Sequence, residues 1–269
     1  MTAVDVHHVV SGPPDAPAIL LSNSLGSSLA MWDPQTGPLS ERYRVIRYDL
    51  RGHGRSPVPP GPYRLEDLTD DVLALLDRLD VAQAHLVGLS LGGMVALQVA
   101  ATATDRVDRM VLCCTSAYMP PADGWHDRAT TVRTKGVAAV ADAVVDRWLT
   151  PAFADASPEL VDRLRAMALA TPDEGYAACC EAIASMDLRA DLPRITASTL
   201  LIAGADDPAT PPAHAEAIAA GLPRARTVVV GPAAHLANVE QPRAVTRHIL
   251  DHLDDHHRTM TTDSRKETT

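Results

Sequence analysis

The chain has 269 residues, 46% of them hydrophobic, and a formal net charge of −10. That length and apolar content suit one domain with an insertion, or two small ones, around a large buried core. The negative balance argues against nucleic acid and anionic membrane as partners, and no apolar run reaches the roughly 20 residues that cross a bilayer.

In chain order, Met1 to His8 shows no basic region followed by an apolar stretch, so no signal peptide is expected and the cytoplasm is the expected compartment. Val4 to Val10 is β-rich and closes at Ser11-Gly12-Pro13-Pro14. Ala18 to Ser22 is a short apolar strand leading into the small-residue loop Asn23-Ser24-Leu25-Gly26. Tyr43 to Tyr48 is a third strand, and Leu65 to Leu79 carries apolar residues at helical spacing with acidic residues in its first turn. A strand around His85-Leu86-Val87 and a helix over Leu91 to Thr102 follow, then a strand over Met110 to Cys114.

From about Met119 to Asp187 the patterning turns helical, with helices expected at Val137 to Leu149, Glu159 to Ala170 and Ala177 to Met186. Strands resume at Thr199 to Ala203 and Thr227 to Val230, and Arg243 to Leu253 is a last amphipathic helix. The segment 259–269 is polar and expected to be disordered. Alternating strands and helices predict a doubly wound, mostly parallel α/β sheet. The core is expected over 1–118 and 188–258. The helical stretch 119–187 reads as a cap inserted over the C-terminal edge of the strands, where such sheets bind ligands.

The chemistry centres on Gly88-Leu89-Ser90-Leu91-Gly92. A strand, a tight turn and a helix around G-x-S-x-G form a nucleophile elbow, which holds a serine hydroxyl above the sheet. A Cβ at Gly88 or Gly92 would collide with the opposing strand or helix. A serine nucleophile needs a base, an orienter for that base and donors for an oxyanion. His235, in the loop after the strand ending at Val230, is the expected base. The expected orienter is Asp207, with Asp206 as the alternative, in the loop after the strand ending at Ala203. The backbone N–H groups of Leu25 and Leu91 are the expected oxyanion hole. The adjacent pairs Cys113-Cys114 and Cys179-Cys180 lack the spacing of a zinc site and read as packing thiols. His252, His256 and His257 read as a solvated helix end rather than metal ligands.

Ser90, Asp207, His235 and the Asp49-to-Ser56 loop resemble the α/β-hydrolase superfamily. The stretches Leu21-Ser-Asn-Ser-Leu-Gly, Met31-Trp32-Asp33, Arg147-Trp148-Leu149-Thr150-Pro151-Ala152-Phe153 and Gly175-Tyr176 are most similar to the 3-oxoadipate enol-lactonases. The resemblance implies a capped α/β-hydrolase fold, no metal or organic cofactor, and a small enol-lactone substrate carrying a free carboxylate. In an acidic protein that carboxylate needs a cationic anchor. Arg133 in the cap is the expected one, with Arg128 and Arg147 as alternatives, and Trp148 is expected to close the pocket or to pack within the cap. The same triad would serve a carboxylesterase, a carbon–carbon bond hydrolase or a cofactor-free perhydrolase. A ligand-binding sensor on the same fold is the reading from a different class. Haloalkane dehalogenases and epoxide hydrolases use Asp where this chain has Ser90.

Overall fold

The structure, a computed structural model, describes residues 2–263, with side chains to Asp254. Its seven strands are β1 (His8–Ser11), β2 (Ala18–Ser22), β3 (Arg44–Tyr48), β4 (Ala84–Leu89), β5 (Val107–Cys113), β6 (Ser198–Gly204) and β7 (Ala225–Val230). They form one sheet in the order β1-β3-β2-β4-β5-β6-β7. Only β1 runs antiparallel, pairing His8 with Tyr48; every other pairing is parallel. Every residue of the central strands β2 and β4 is buried, as expected where helices cover both faces of a parallel sheet.

Among the described residues eleven α-helices alternate with the strands or cover the sheet: α1 (Asp33–Ser40), α2 (Leu65–Arg78) and α3 (Leu91–Thr102) come early; α4 (Ala122–Lys135), α5 (Ala138–Trp148), α6 (Pro151–Ala156), α7 (Pro158–Leu169) and α8 (Asp173–Ser185) form the cap; and α9 (Pro212–Gly221), α10 (Ala237–Glu240) and α11 (Pro242–Asp263) close the chain. Residues Leu91 to Ala100 of α3 are all buried, which makes α3 a central helix, apolar on every side.

The insert leaves the sheet after β5 and returns at β6. Its two ends meet in an isolated antiparallel bridge between Tyr118 and Asp187. The cap also touches the core backbone to backbone. A Cβ on Gly52 would lie 2.4 Å from Gly175 Cα, and one on Gly175 would lie 2.0 Å from Gly52 O. No side chain fits at this crossing, and Gly52 further needs the left-handed φ of 74°.

Two expectations are corrected. Helix α11 runs on past Leu253 to Asp263, through the first half of the segment expected to be disordered; 264–269 lie outside the described residues. His252 is buried, and its Nε2 lies 3.1 Å from the carbonyl of Ser198; the side chains of His256 and His257 lie outside the described residues. The four cysteines are free and buried. Among the described residues no group of acidic, Cys or His side chains has the arrangement of a metal site, and no helix is long and apolar enough to cross a membrane.

Candidate active site

Ser90 sits between β4 and α3 with φ 56° and ψ −118°, a strained conformation for a residue with a Cβ. Its N–H donates to Cys113 O at 3.0 Å. Its carbonyl accepts from Thr115 Oγ1 at 2.6 Å and from the N–H groups of Gly93 and Met94. The glycines do what the sequence reading required. A Cβ on Gly88 would lie 2.3 Å from Gly92 O, and one on Gly92 would lie 2.2 Å from Ser22 O at the end of β2. Gly93, to which no role was given, is equally constrained: its Cβ would lie 2.7 Å from the Thr115 side chain.

Of the two candidate acids, Asp207 is the one that faces the histidine. Its Oδ2 accepts from His235 Nδ1 at 2.9 Å and from Thr210 Oγ1 at 2.7 Å. Its Oδ1 accepts from the N–H groups of Ala209 and Thr210 at 2.8 and 3.1 Å. Burial opposes its charge, but the hydrogen bond and charge of His235, followed by Thr210, outweigh burial and hold the Asp207 pKa at about 2. Asp206 is exposed, and among the described residues its carboxylate accepts only from Ala233 N, at 3.3 Å. With Nδ1 committed to Asp207, the other nitrogen of His235 is the one free to act as base. His235 and Ser90 line the same cavity, together with Leu25, Trp148, Arg128, Arg147 and Tyr176. Leu91 begins α3 directly behind Ser90, so its N–H is one of the unpaired donors of a helix start.

The loop carrying Leu25 is supported by a residue to which no role was assigned. His53 is fully buried; its Nε2 accepts from Gly26 N at 3.0 Å, and its Nδ1 lies 3.2 Å from Arg51 O. Burial drives the His53 pKa down to about 4, with Arg51 O and Asp49 opposing. His53 is therefore neutral at pH 7, with its proton on Nδ1. The signal in the sequence is its place in Arg51-Gly52-His53-Gly54. Arg51 beside it is fully buried and bidentate to Asp71, at 2.6 and 2.7 Å.

Arg133 is not in the cavity, which corrects the expected anchor. Its guanidinium makes four hydrogen bonds, to Glu174 at 2.8 and 3.0 Å and to Glu181 at 2.6 and 2.8 Å. Glu181 first, then Glu174, raise its pKa far above the ordinary value. Glu174 in turn accepts from Gly61 N at 2.7 Å, so Arg133 fastens α4 to α8 and, through Glu174, to the core. The two alternatives, Arg128 and Arg147, both line the cavity. Burial lowers the Arg147 pKa, and the like charge of Arg128 lowers it further. The Arg128 guanidinium stacks over Trp125, 4.9 Å from the ring centre.

Trp148 is 2% exposed, lines the cavity and ends α5. Its carbonyl accepts from Leu236 N at 2.8 Å, which ties the cap to the residue after His235. Tyr176 is also buried against the cavity; its hydroxyl makes no well-formed hydrogen bond, and the Arg128 guanidinium is the polar group beside it. Burial raises its pKa, so the group stays a neutral donor. The cavity holds only about 50 Å³, room for a few waters. A substrate therefore enters with displacement of side chains or of the cap.

A family model for the alpha/beta hydrolase fold matches residues 17–242. The chain belongs to the α/β-hydrolase family. It is a hydrolase by that membership, and its relatives include lactone-opening enzymes. It is 41% identical over 246 residues to 3-oxoadipate enol-lactonase 2 of Acinetobacter baylyi, covering 91% of this chain and 92% of that one. A crystal structure of the enol-lactonase from Burkholderia xenovorans superposes with a TM-score of 0.90 at 42% identity, covering 92% of this chain and 96% of that one. A Stutzerimonas stutzeri protein, provisionally named carbamate hydrolase RutD, is 33% identical over 265 residues, covering 92% and 96%.

Proposed function

We propose that this hydrolase opens a small enol-lactone bearing a free carboxylate, 3-oxoadipate enol-lactone, to 3-oxoadipate. The observation that carries the reading is the composition of one cavity: Ser90 and His235 at its floor, and the two guanidiniums of Arg128 and Arg147 in its wall. Two like charges facing a small, mostly buried space are relieved by an anion. A neutral ester offers no such relief. The similarity to enol-lactonases supports the same substrate class.

In this mechanism Asp207 holds the His235 ring so that its free nitrogen faces Ser90. His235 takes the Ser90 proton as Oγ attacks the lactone carbonyl. The oxyanion forms beside the N–H groups of Leu25 and Leu91, which are fixed before the reaction begins. The C–O bond to the ring oxygen then breaks. The leaving group departs as an enol, protonated by His235, and becomes a ketone, which draws the ring opening forward. His235 next deprotonates a water that attacks the Ser90 ester and releases the acid. Arg128 and Arg147 hold the distal carboxylate throughout, each charged hydrogen bond contributing about 1.5–3 kcal/mol.

The test is turnover of 3-oxoadipate enol-lactone beside p-nitrophenyl acetate. The expected result is a kcat/KM for the lactone roughly 100-fold or more above that for the acetate. Hydrolysis of the acetate with none of the lactone would leave a serine esterase and remove this substrate.

A further inference from the structure

A second cavity, larger than the one that holds Ser90, lies elsewhere in the fold. It is a groove of about 550 Å³ between cap helix α7 and the loops that follow β2 and β3, and it shares no lining residue with the Ser90 cavity. Its volume falls within the range of small-molecule sites. Leu164, Met31 and Val239 form a buried apolar floor, with Leu160 and Met167 above them.

The charge at its rim is uneven. Arg55 and Arg163 both line the groove, and among the described residues neither guanidinium makes an ion pair. The one carboxylate there, Asp33, is engaged by Arg47. An apolar hollow with two unpaired cations at its mouth, on a chain of net charge −10, matches a ligand with an apolar body and an anionic end.

The groove also backs onto the loop that carries Leu25. Met31 lines it, and the Met31 thioether accepts from Ser24 N at 3.3 Å and from Ser27 Oγ at 3.1 Å. The single Ser27 hydroxyl proton lies between Met31 Sδ and the nearer Ser24 O, at 2.7 Å. On the other side, Asn238 Nδ2 donates to Met31 O at 2.9 Å, three residues from His235. A molecule seated on Met31 therefore presses on the support of an oxyanion donor without entering the Ser90 cavity.

We infer that this groove is a second binding site, taking a small monocarboxylic acid with an apolar body, and that its occupancy alters turnover at Ser90 through Met31 and the Ser24–Ser27 loop. The probe is 4-phenylbutyrate, with 4-phenylbutan-1-ol as its uncharged counterpart. Calorimetric titration uses the full chain with Ser90 blocked by a phosphonate, attachment being verified by intact mass. The blocked protein is expected to bind one equivalent of the acid, and the alcohol about tenfold more weakly or worse. The double variant Arg55→Glu with Arg163→Glu should weaken the acid about tenfold or more and leave the alcohol unchanged. Leu164→Trp should fill the groove and abolish both. On unblocked protein the acid should shift kcat for p-nitrophenyl acetate without competing with it, and Leu164→Trp should remove that shift.

Absence of binding to the blocked protein overturns the inference, whether the unblocked protein binds the acid in the Ser90 cavity or not at all. Unchanged affinity in the arginine variants overturns it equally, and decides the matter if Leu164→Trp fails to fold. Binding with no effect on kcat removes the coupling through Met31. If the phosphonate leaves Ser90 unlabelled, the serine mechanism is what fails, and the groove is judged by the same variants on the unmodified chain.

Discussion

The core and the cap hold their polar side chains in different ways. Ser90, Asp207 and His235 follow the ends of β4, β6 and β7, strands locked in register by hydrogen bonds along their length. Once the strands are placed, the loops beyond them can reach little except one another. Arg128, Arg133 and Arg147 lie on α4 and α5, whose backbone bonds are satisfied internally and constrain no rotation about the helix axis. Which arginine faces inward depends on what the helix docks against. On α4 the Glu174 and Glu181 carboxylates of α8 capture Arg133 and leave Arg128, five residues earlier, to the cavity.

The largest expected effect belongs to the core. Ser90→Ala should lower kcat by on the order of 10⁴-fold or more while the fold stays intact; near-normal turnover would end the mechanism. Next comes Asp207→Asn, expected to cost about 10³-fold in kcat by favouring the wrong imidazole tautomer. Asp206→Asn should change little, and a reversal of that order would put the orienter one residue earlier.

The third effect is on stability. His53 is held neutral in the folded chain down to about pH 4, whereas an unfolded histidine takes a proton below about 6.5. The unfolded state thus binds more protons across that window, and stability falls as the pH drops from about 6.5 to about 4, by up to about 3 kcal/mol from this group. Denaturant titrations at several pH values should show that slope, and His53→Gln should flatten it. A slope unchanged in the variant would assign it to other groups.

The arginines sharpen the comparison directly. Arg147→Leu and Arg128→Leu should each lower kcat/KM on the enol-lactone by roughly 10- to 100-fold and barely touch p-nitrophenyl acetate. Arg133→Leu should spare the selectivity between the two substrates and lower stability instead. If Arg133→Leu selectively impaired the lactone, the docking of α4 on α8 would not be what assigns these side chains. The smallest effect is expected of Tyr176→Phe. Removing a buried hydroxyl that makes no well-formed hydrogen bond should change Tm little, while KM for the lactone rises about 3- to 10-fold.

Much of the core could be read from the sequence because its signals are local. Ala18 to Ser22 and Leu91 to Thr102 form the elements expected, since an unbroken apolar run between turn residues has few other uses. The elements missed lacked that contrast. Helix α1 reads Asp-Pro-Gln-Thr-Gly-Pro-Leu-Ser, with two prolines and a glycine masking its period. Helix α4 buries only Ala129 and Val132, too few to mark a face. Helix α9 starts at Pro212, where Thr210-Pro211-Pro212 reads as a turn. Asp206 and Asp207 are adjacent in one loop, and it is Asp207 whose carboxylate the Thr210 turn holds against His235. The role of Arg133 was not legible, and for His53 the sequence offers its place in Arg51-Gly52-His53-Gly54 but not its partner. Their partners, Glu174 and Glu181 for one and Gly26 for the other, lie 27 to 48 residues away in the chain, and local patterning carries no trace of such contacts.

Glu240 has a consequence for anyone who recombines this enzyme with a relative. Its carboxylate accepts from Ala234 N at 2.6 Å, next to His235, and from Thr150 Oγ1 at 2.7 Å and Thr150 N at 3.2 Å in the cap. One buried anion thus stitches together two segments that a chimera would draw from different parents. A transplanted cap with an apolar residue at position 150 would strip the anion of its hydroxyl donor, and the resulting tug on Ala234 would reach His235 through a single peptide unit. Chimeras that keep Thr150 and Glu240 from the same parent should therefore outperform those that split them, even when every residue lining the Ser90 cavity is identical.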